Sequence, residues 1–149
     1  MQLLTLFKQR KLSPVELLNA QIDRAWKAEP KINAFTDTYY DQSLDMARKS
    51  EARYMRPKAR LRALEGLTVA IKDEGAIKDQ RSTSGSLLFR DNVATESDVF
   101  NERIPKAGAI CHARTATPEF CCAPVPHSRF WGVTRNPWNL GYTPGGSSG

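Results

Sequence analysis

Apolar residues recur at Val15, Leu18, Ile22, Ala25 and Trp26, the three- and four-residue spacing that lines one face of an α-helix. Its start is written in Ser13-Pro14-Val15-Glu16. Ser13 is suited to accept from the free backbone N–H groups of the first turn, Pro14 suits the first helical position, and Glu16 completes a capping box. Pro30 predicts the end of this helix. A second helix is expected over about 38–54, with Tyr40, Leu44, Ala47 and Tyr54 on one side and mostly charged residues on the other. From Gly66 the period changes to two. Leu67, Val69 and Ile71 alternate with Thr68, Ala70 and Lys72, which predicts a short strand that turns Lys72 away from its apolar face. A polar loop over 79–85 follows, then a short helix over about 98–106, capped by Ser97, closed by Gly108 and kinked or shortened by Pro105. Residues 109–113 read as a second strand. Beyond Thr117-Pro118 regular periodicity ends, and Pro118, Pro124, Pro126, Pro137, Pro144 and five glycines spread the remainder into loop. Its Phe120, Phe130, Trp131, Trp138 and Tyr142 predict that this loop packs and builds a site.

The composition, 40% hydrophobic and 26% charged over 149 residues, is that of a globular domain or part of one. A helical lead-in over about 1–62 precedes a core over about 63–149. No apolar run reaches the length of a membrane span, and the short run Leu3, Leu4, Leu6, Phe7 has no basic segment before it, so neither membrane insertion nor secretion is expected. Three cysteines, two of them adjacent (Cys121 and Cys122), suggest no disulfide framework and point to a reducing cytoplasm. The net charge of +6 is scattered apart from Arg53, Arg56, Lys58, Arg60 and Arg62, which reads as solvated surface and not as a nucleic-acid site.

Gly145-Gly146-Ser147-Ser148-Gly149 sets two hydroxyls where glycines let a substrate approach the backbone, although a plain turn or linker has the same composition. It lacks the Gly-Lys-Ser/Thr ending of a phosphate-binding loop. Cys111, His112, Cys121, Cys122 and His127 contain no Cys-x-x-Cys pair, so no metal is expected, and neither histidine sits in a serine–histidine–acid motif. No cofactor is implied.

Read in order, Gly66-Leu67-Thr68-Val69-Ala70-Ile71-Lys72-Asp73, Thr83-Ser84-Gly85-Ser86, Ala107-Gly108-Ala109-Ile110, Thr117-Pro118-Glu119-Phe120, Trp131-Gly132-Val133-Thr134-Arg135-Asn136-Pro137-Trp138 and Thr143-Pro144-Gly145-Gly146-Ser147-Ser148-Gly149 resemble successive motifs of the amidase signature family. Ser13-Pro14-Val15-Glu16-Leu17 and Ile32-Asn33-Ala34-Phe35 are similar to its N-terminal helix and the loop after it. The resemblance implies an α/β fold, a large twisted mixed sheet covered by helices on both sides, of which residues 1–149 form the N-terminal portion of a single amidase domain.

The resemblance also implies hydrolysis of the carbon–nitrogen bond of a small-molecule amide through a Ser-Ser-Lys triad and an acyl-enzyme. Lys72 would be the general base and Ser147 the bridging serine, held in the family by a cis peptide bond. Ser148 would be a supporting hydroxyl, and Gly145 and Gly146 would lie beside the substrate. The nucleophilic serine and the oxyanion hole belong to a second glycine-rich motif expected beyond Gly149, so the isolated chain is expected to be catalytically silent. A base at neutral pH must be partly neutral, and lowering a lysine from about 10.4 to roughly 7 or 8 takes about 4 kcal/mol, which burial at the end of an apolar strand would supply. Ala116 stands where the family commonly has asparagine, and Pro105 replaces a helix former. Within the family, the alternative reading is a glutaminase subunit of a tRNA-dependent amidotransferase; a homodimer is compatible with the full-length form.

Overall fold

The Ser13 capping box forms as written. Ser13 Oγ accepts from the Glu16 backbone N–H at 3.1 Å and Glu16 Oε2 accepts from the Ser13 N–H at 2.8 Å, opening the longest helix, α2 (Pro14–Ile32). The structure, a computed structural model, describes residues 2–149. Helix α2 does not stop at Pro30. A proline in the last turn forfeits one intrahelical bond, and the helix continues to Asn33, whose left-handed backbone (φ 51°) lets its N–H reach the Glu29 carbonyl. Trp26 also departs from expectation: it is 70% exposed and meets Tyr40 edge-on, because the buried stripe of α2 narrows to Leu18, with Val15 and Ile22 beside it.

Leu18 packs with Ala47 of α3 (Tyr40–Met55) and Ile110 of β3 (Ile110–Thr115), and Leu44 and Met46 close around them. Two elements of the first half of the chain are not legible in the sequence. Helix α1 (Gln2–Lys8) buries Phe7 against Tyr54, and β1 (Phe35–Thr38) precedes α3. Strand β2 (Thr68–Lys72) forms where the alternation placed it. The sheet order is β1-β3-β2, with β1 antiparallel and β2 parallel to β3, so the sheet is mixed and the fold α/β. His112 to Thr117 are buried without interruption, as expected of a strand covered on both faces. A register shift in the β2–β3 pairing lets Val69 oppose Cys111 and Ala70 oppose Ala113, leaving His112 as the bulge.

Helix α4 (Val99–Lys106) is capped at Asp98, not Ser97. Ser97 Oγ instead accepts from the Lys78 N–H at 2.8 Å, and Asp98 Oδ2 accepts from the Ala76 N–H at 2.7 Å, so both side chains tie the preceding loop. Pro105 is absorbed in the last turn, where its carbonyl accepts from Arg62. The basic cluster is not all solvated surface either. Arg53 and Arg62 converge on Glu65, which is fully buried and also accepts from the Ser50 hydroxyl at 2.7 Å.

The C-terminal loop holds a small hairpin, β4 (His127–Ser128) with β5 (Gly132–Val133), and is fastened to the end of α2. Asn33 Nδ2 donates to the Trp131 carbonyl at 2.7 Å, and the Arg135 N–H donates to the Ile32 carbonyl at 2.8 Å. Its aromatic residues divide. The Phe130 and Trp131 rings lie against each other at a tilt of 37°, whereas Trp138 and Tyr142 are exposed at 94% and 68%, contrary to the expectation that the whole loop packs. Among the described residues no helix is long and apolar enough to cross a membrane.

Candidate active site

Because β2 and β3 run parallel, their C-terminal ends lie together, with Lys72 opposite Thr115. The final glycine-serine segment is laid along the continuation of β3. The Gly149 N–H donates to the Ala116 carbonyl and the Ala116 N–H to the Ala34 carbonyl, both at 2.8 Å. This brings Ser147 over the end of β2, where Lys72 Nζ donates to Ser147 Oγ at 2.7 Å. The Gly146–Ser147 peptide bond is cis, and Gly146 has φ 155°. A Cβ at Gly146 would come within 3.0 Å of Pro126 Cδ and of the Ser148 nitrogen, so glycine suits this close approach. Ser148 is exposed and takes no part in the Lys72 contact, Gly146 is exposed, and a Cβ at Gly145 would meet nothing within 4 Å.

Lys72 has a second partner that sequence reasoning missed. Glu74 Oε2 lies 3.0 Å from Nζ, and the Lys72 side chain is 18% exposed. Partial burial is the largest single influence on the lysine and pulls its pKa down, yet the Glu74 carboxylate and the nearby Cys121 thiol together hold it above the ordinary value. The expected lowering of Lys72 is therefore corrected: in this arrangement it is an ammonium. Lys72 and the Cys121 thiol hold the Glu74 carboxyl below its usual range. The groove beside them, about 330 Å³, is lined by Ile71, Lys72, Glu74, Gly75, Asp98 and Phe100.

The backbone carrying Lys72 and Glu74 is fixed from beneath. Asp73 is fully buried; it accepts from the Thr83 N–H at 2.9 Å, from the Thr83 hydroxyl and from Trp131 Nε1 at 3.0 Å. Arg114, also fully buried, donates to the Gly75 carbonyl and stands 3.9 Å from Asp73. Arg81 lies over the Trp131 ring at 4.8 Å and pairs with Asp37 at 2.6 Å. The signal for Asp73 is present in the alternation: it follows Leu67, Val69 and Ile71 on the apolar side, where a charge must find partners.

The two histidines stay apart from this constellation, whereas Cys121 joins it. His112 is buried between Phe35 and Tyr40, and burial pushes its pKa down. His127 is exposed in β4. Cys121 is drawn toward Lys72 through the turn Glu119–Cys121, whose Phe120 and Cys121 have positive φ.

The profile of the amidase family matches residues 16–149. The chain belongs to the amidase signature family. Curated and solved members agree with that membership along almost the whole chain. A glutamyl-tRNA(Gln) amidotransferase subunit from Lachnoclostridium phytofermentans is 32% identical over 142 residues, covering 95% of this chain and 29% of that protein. A bacterial aryl acylamidase of the amidase signature superposes with a TM-score of 0.88 at 27% identity, over 97% of this chain and 30% of its own. Fatty acid amide hydrolase superposes with a TM-score of 0.90 at 25% identity, over 98% of this chain and 26% of its own. The chain thus spans less than a third of the length of these amidase signature proteins.

Proposed function

We propose that residues 1–149 are the N-terminal portion of a single amidase domain that hydrolyses a small-molecule amide, with Lys72 as general base and Ser147 relaying between it and a nucleophilic serine further along the polypeptide. The observation that supports this reading is the 2.7 Å contact between Lys72 Nζ and Ser147 Oγ, made across 75 residues of sequence. A serine hydroxyl attacks an amide carbonyl only when a base removes its proton; a lysine that has lost its own proton does this, with a bridging hydroxyl passing the charge along. Nucleophile attack would then form an acyl-enzyme, the amine would leave with a proton, and water would release the acid. Ser148 and the Gly145–Gly146 backbone would border the substrate.

A second reading is favoured by the 32% identity to an amidotransferase component: the same hydrolytic site would act as a glutaminase within a complex. Partner dependence separates the two. The full-length protein, purified alone and assayed against aryl anilides, simple primary amides and glutamine, is expected to hydrolyse at least one of them in the first reading. The second reading requires glutamine turnover that appears with a co-purifying partner. Lys72→Ala and Ser147→Ala both lower turnover by orders of magnitude if the proposal holds; hydrolysis unaffected by either change would dismiss these roles. We place the protein in the cytoplasm, where its three free cysteines stay reduced.

A further inference from the structure

Two oxygens compete for the Lys72 ammonium, and the proposed triad accounts for one of them. Ser147 Oγ is at 2.7 Å and Glu74 Oε2 at 3.0 Å. The second contact follows from the local fold. β2 ends at Lys72, and the Gly75 N–H closes a turn onto the Lys72 carbonyl at 3.2 Å. Along that turn side chains continue to alternate: Asp73 goes down into its buried bonds with Thr83 and Trp131, while Glu74 returns to the side of Lys72. Arg114 holds the Gly75 carbonyl and so fixes the far end of the turn. Glu74 is 56% exposed, and its carboxylate has Lys72 as its ion-pair partner among the described residues.

We propose that Glu74 is a positioning residue for Lys72: its carboxylate holds the ammonium against Ser147 and has to be withdrawn or neutralised before the amine can take a proton. This rests on the reading of Lys72 as a base. The resting arrangement is Lys–NH3+ donating to both oxygens, and the proton lost on activation goes to solvent through the groove that Glu74 lines. The other ionisable groups facing Lys72 are the Cys121 thiol, from the turn Glu119–Cys121, and Asp98, which lines the same groove from the start of α4 but is engaged by the Ala76 N–H. Neither replaces Glu74, because its carboxylate is the acid within ion-pair distance of Nζ among the described residues. Its direction of action on Lys72 agrees with this geometry.

The test uses Glu74→Gln and Glu74→Asp in the full-length protein, with two readouts. Competitive labelling of amines by acetic anhydride, read by peptide mass spectrometry over pH 7–10 (roughly the range in which lysines titrate), reports how much Lys72 is neutral and needs no catalysis. Lys72 in Glu74→Gln is expected to label several-fold faster than in the unsubstituted protein at the low end of that range. Glu74→Asp is expected to lie near the unsubstituted protein, and exposed Lys27 to stay unchanged. Equal labelling of Lys72 in all three proteins would overturn the proposal. The second readout is the pH profile of amide hydrolysis, whose rising limb is expected to move to lower pH in Glu74→Gln. If no amide is hydrolysed at any pH, the amidase reading fails while the labelling still decides the role of Glu74. Because Glu74 is half exposed, circular dichroism should show the same folded state in each variant.

Discussion

Lys72 carries opposed demands. Partial burial favours the neutral amine that a base needs, while Glu74 and Cys121 favour the ammonium, and the ammonium prevails. The lysine and Ser147 can be singled out in the sequence by the motifs that resemble those of the amidase signature family; periodicity alone reads Lys72 as a solvated charge at a strand end. Their 2.7 Å contact cannot, since it depends on how residues 145–149 lie along β3. Glu74 does not stand out in the sequence because an exposed acid in a turn is ordinary; only the closure of the turn onto Lys72 makes it a partner. If Lys72 and Ser147 act as one relay, each alanine variant is expected to lower kcat by about 10²–10⁴-fold, the usual worth of general base catalysis. The double variant is then expected to lose little more than either single one, because groups acting as a unit are not additive. Steady-state kinetics on the three variants measures this, and losses that multiply would mean independent roles.

At the scale of elements, the parts that formed as read are those with long or strict periodicity. Helix α2 has its capping box, and β2 has alternation ending in Lys72. The parts not read are short or depend on distant partners. β1 has four residues and exists through its pairing with β3, and α1 is fixed by Phe7 reaching Tyr54. The Asp73 network is of the same kind, since β2, the Thr83 loop and Trp131 meet only in three dimensions. Trp131→Phe removes one donor from a fully buried carboxylate and keeps most of the ring that stacks on Arg81. It is expected to destabilise the fold by about 1–3 kcal/mol, the penalty for an under-bonded buried polar group. Ser13→Ala, which removes a helix cap near the surface, is expected to cost about 1 kcal/mol. Urea unfolding of the two variants checks both, and a Trp131→Phe effect no larger than a surface change would mean that Thr83 alone satisfies Asp73.

For the molecule as a whole, the outer strands β1 and β2 each have one bonded neighbour among the described residues, and Leu87, Leu88, Phe89, Phe100 and Phe120 are 45–82% exposed. Such a surface is covered by something in a stable protein. The 149-residue chain produced alone is therefore expected to self-associate, with a mass by light scattering that grows with concentration, unless Leu88 and Phe89 are made polar. Beyond the apolar core, one buried acid ties its helices together. Glu65 joins α3, through Ser50, Arg53 and Tyr54, to Arg62, which in turn reaches the end of α4 at the Pro105 carbonyl. Burial pushes the Glu65 carboxyl up, but bonds from Arg62 and Ser50 and the charge of Arg53 more than reverse this and leave it at about 2, against 4.5 for a free glutamate. A carboxylate held low in the folded state stabilises it fully above the unfolded pKa, and that contribution fades as pH falls from 4.5 toward 2. The difference corresponds to about 3 kcal/mol. In the full-length protein the urea midpoint is therefore expected to drop between those two pH values more steeply than in Glu65→Gln, which carries every other carboxylate but not this one. Parallel curves would show that the arginines around Glu65 are held by solvent and not by the ion pair.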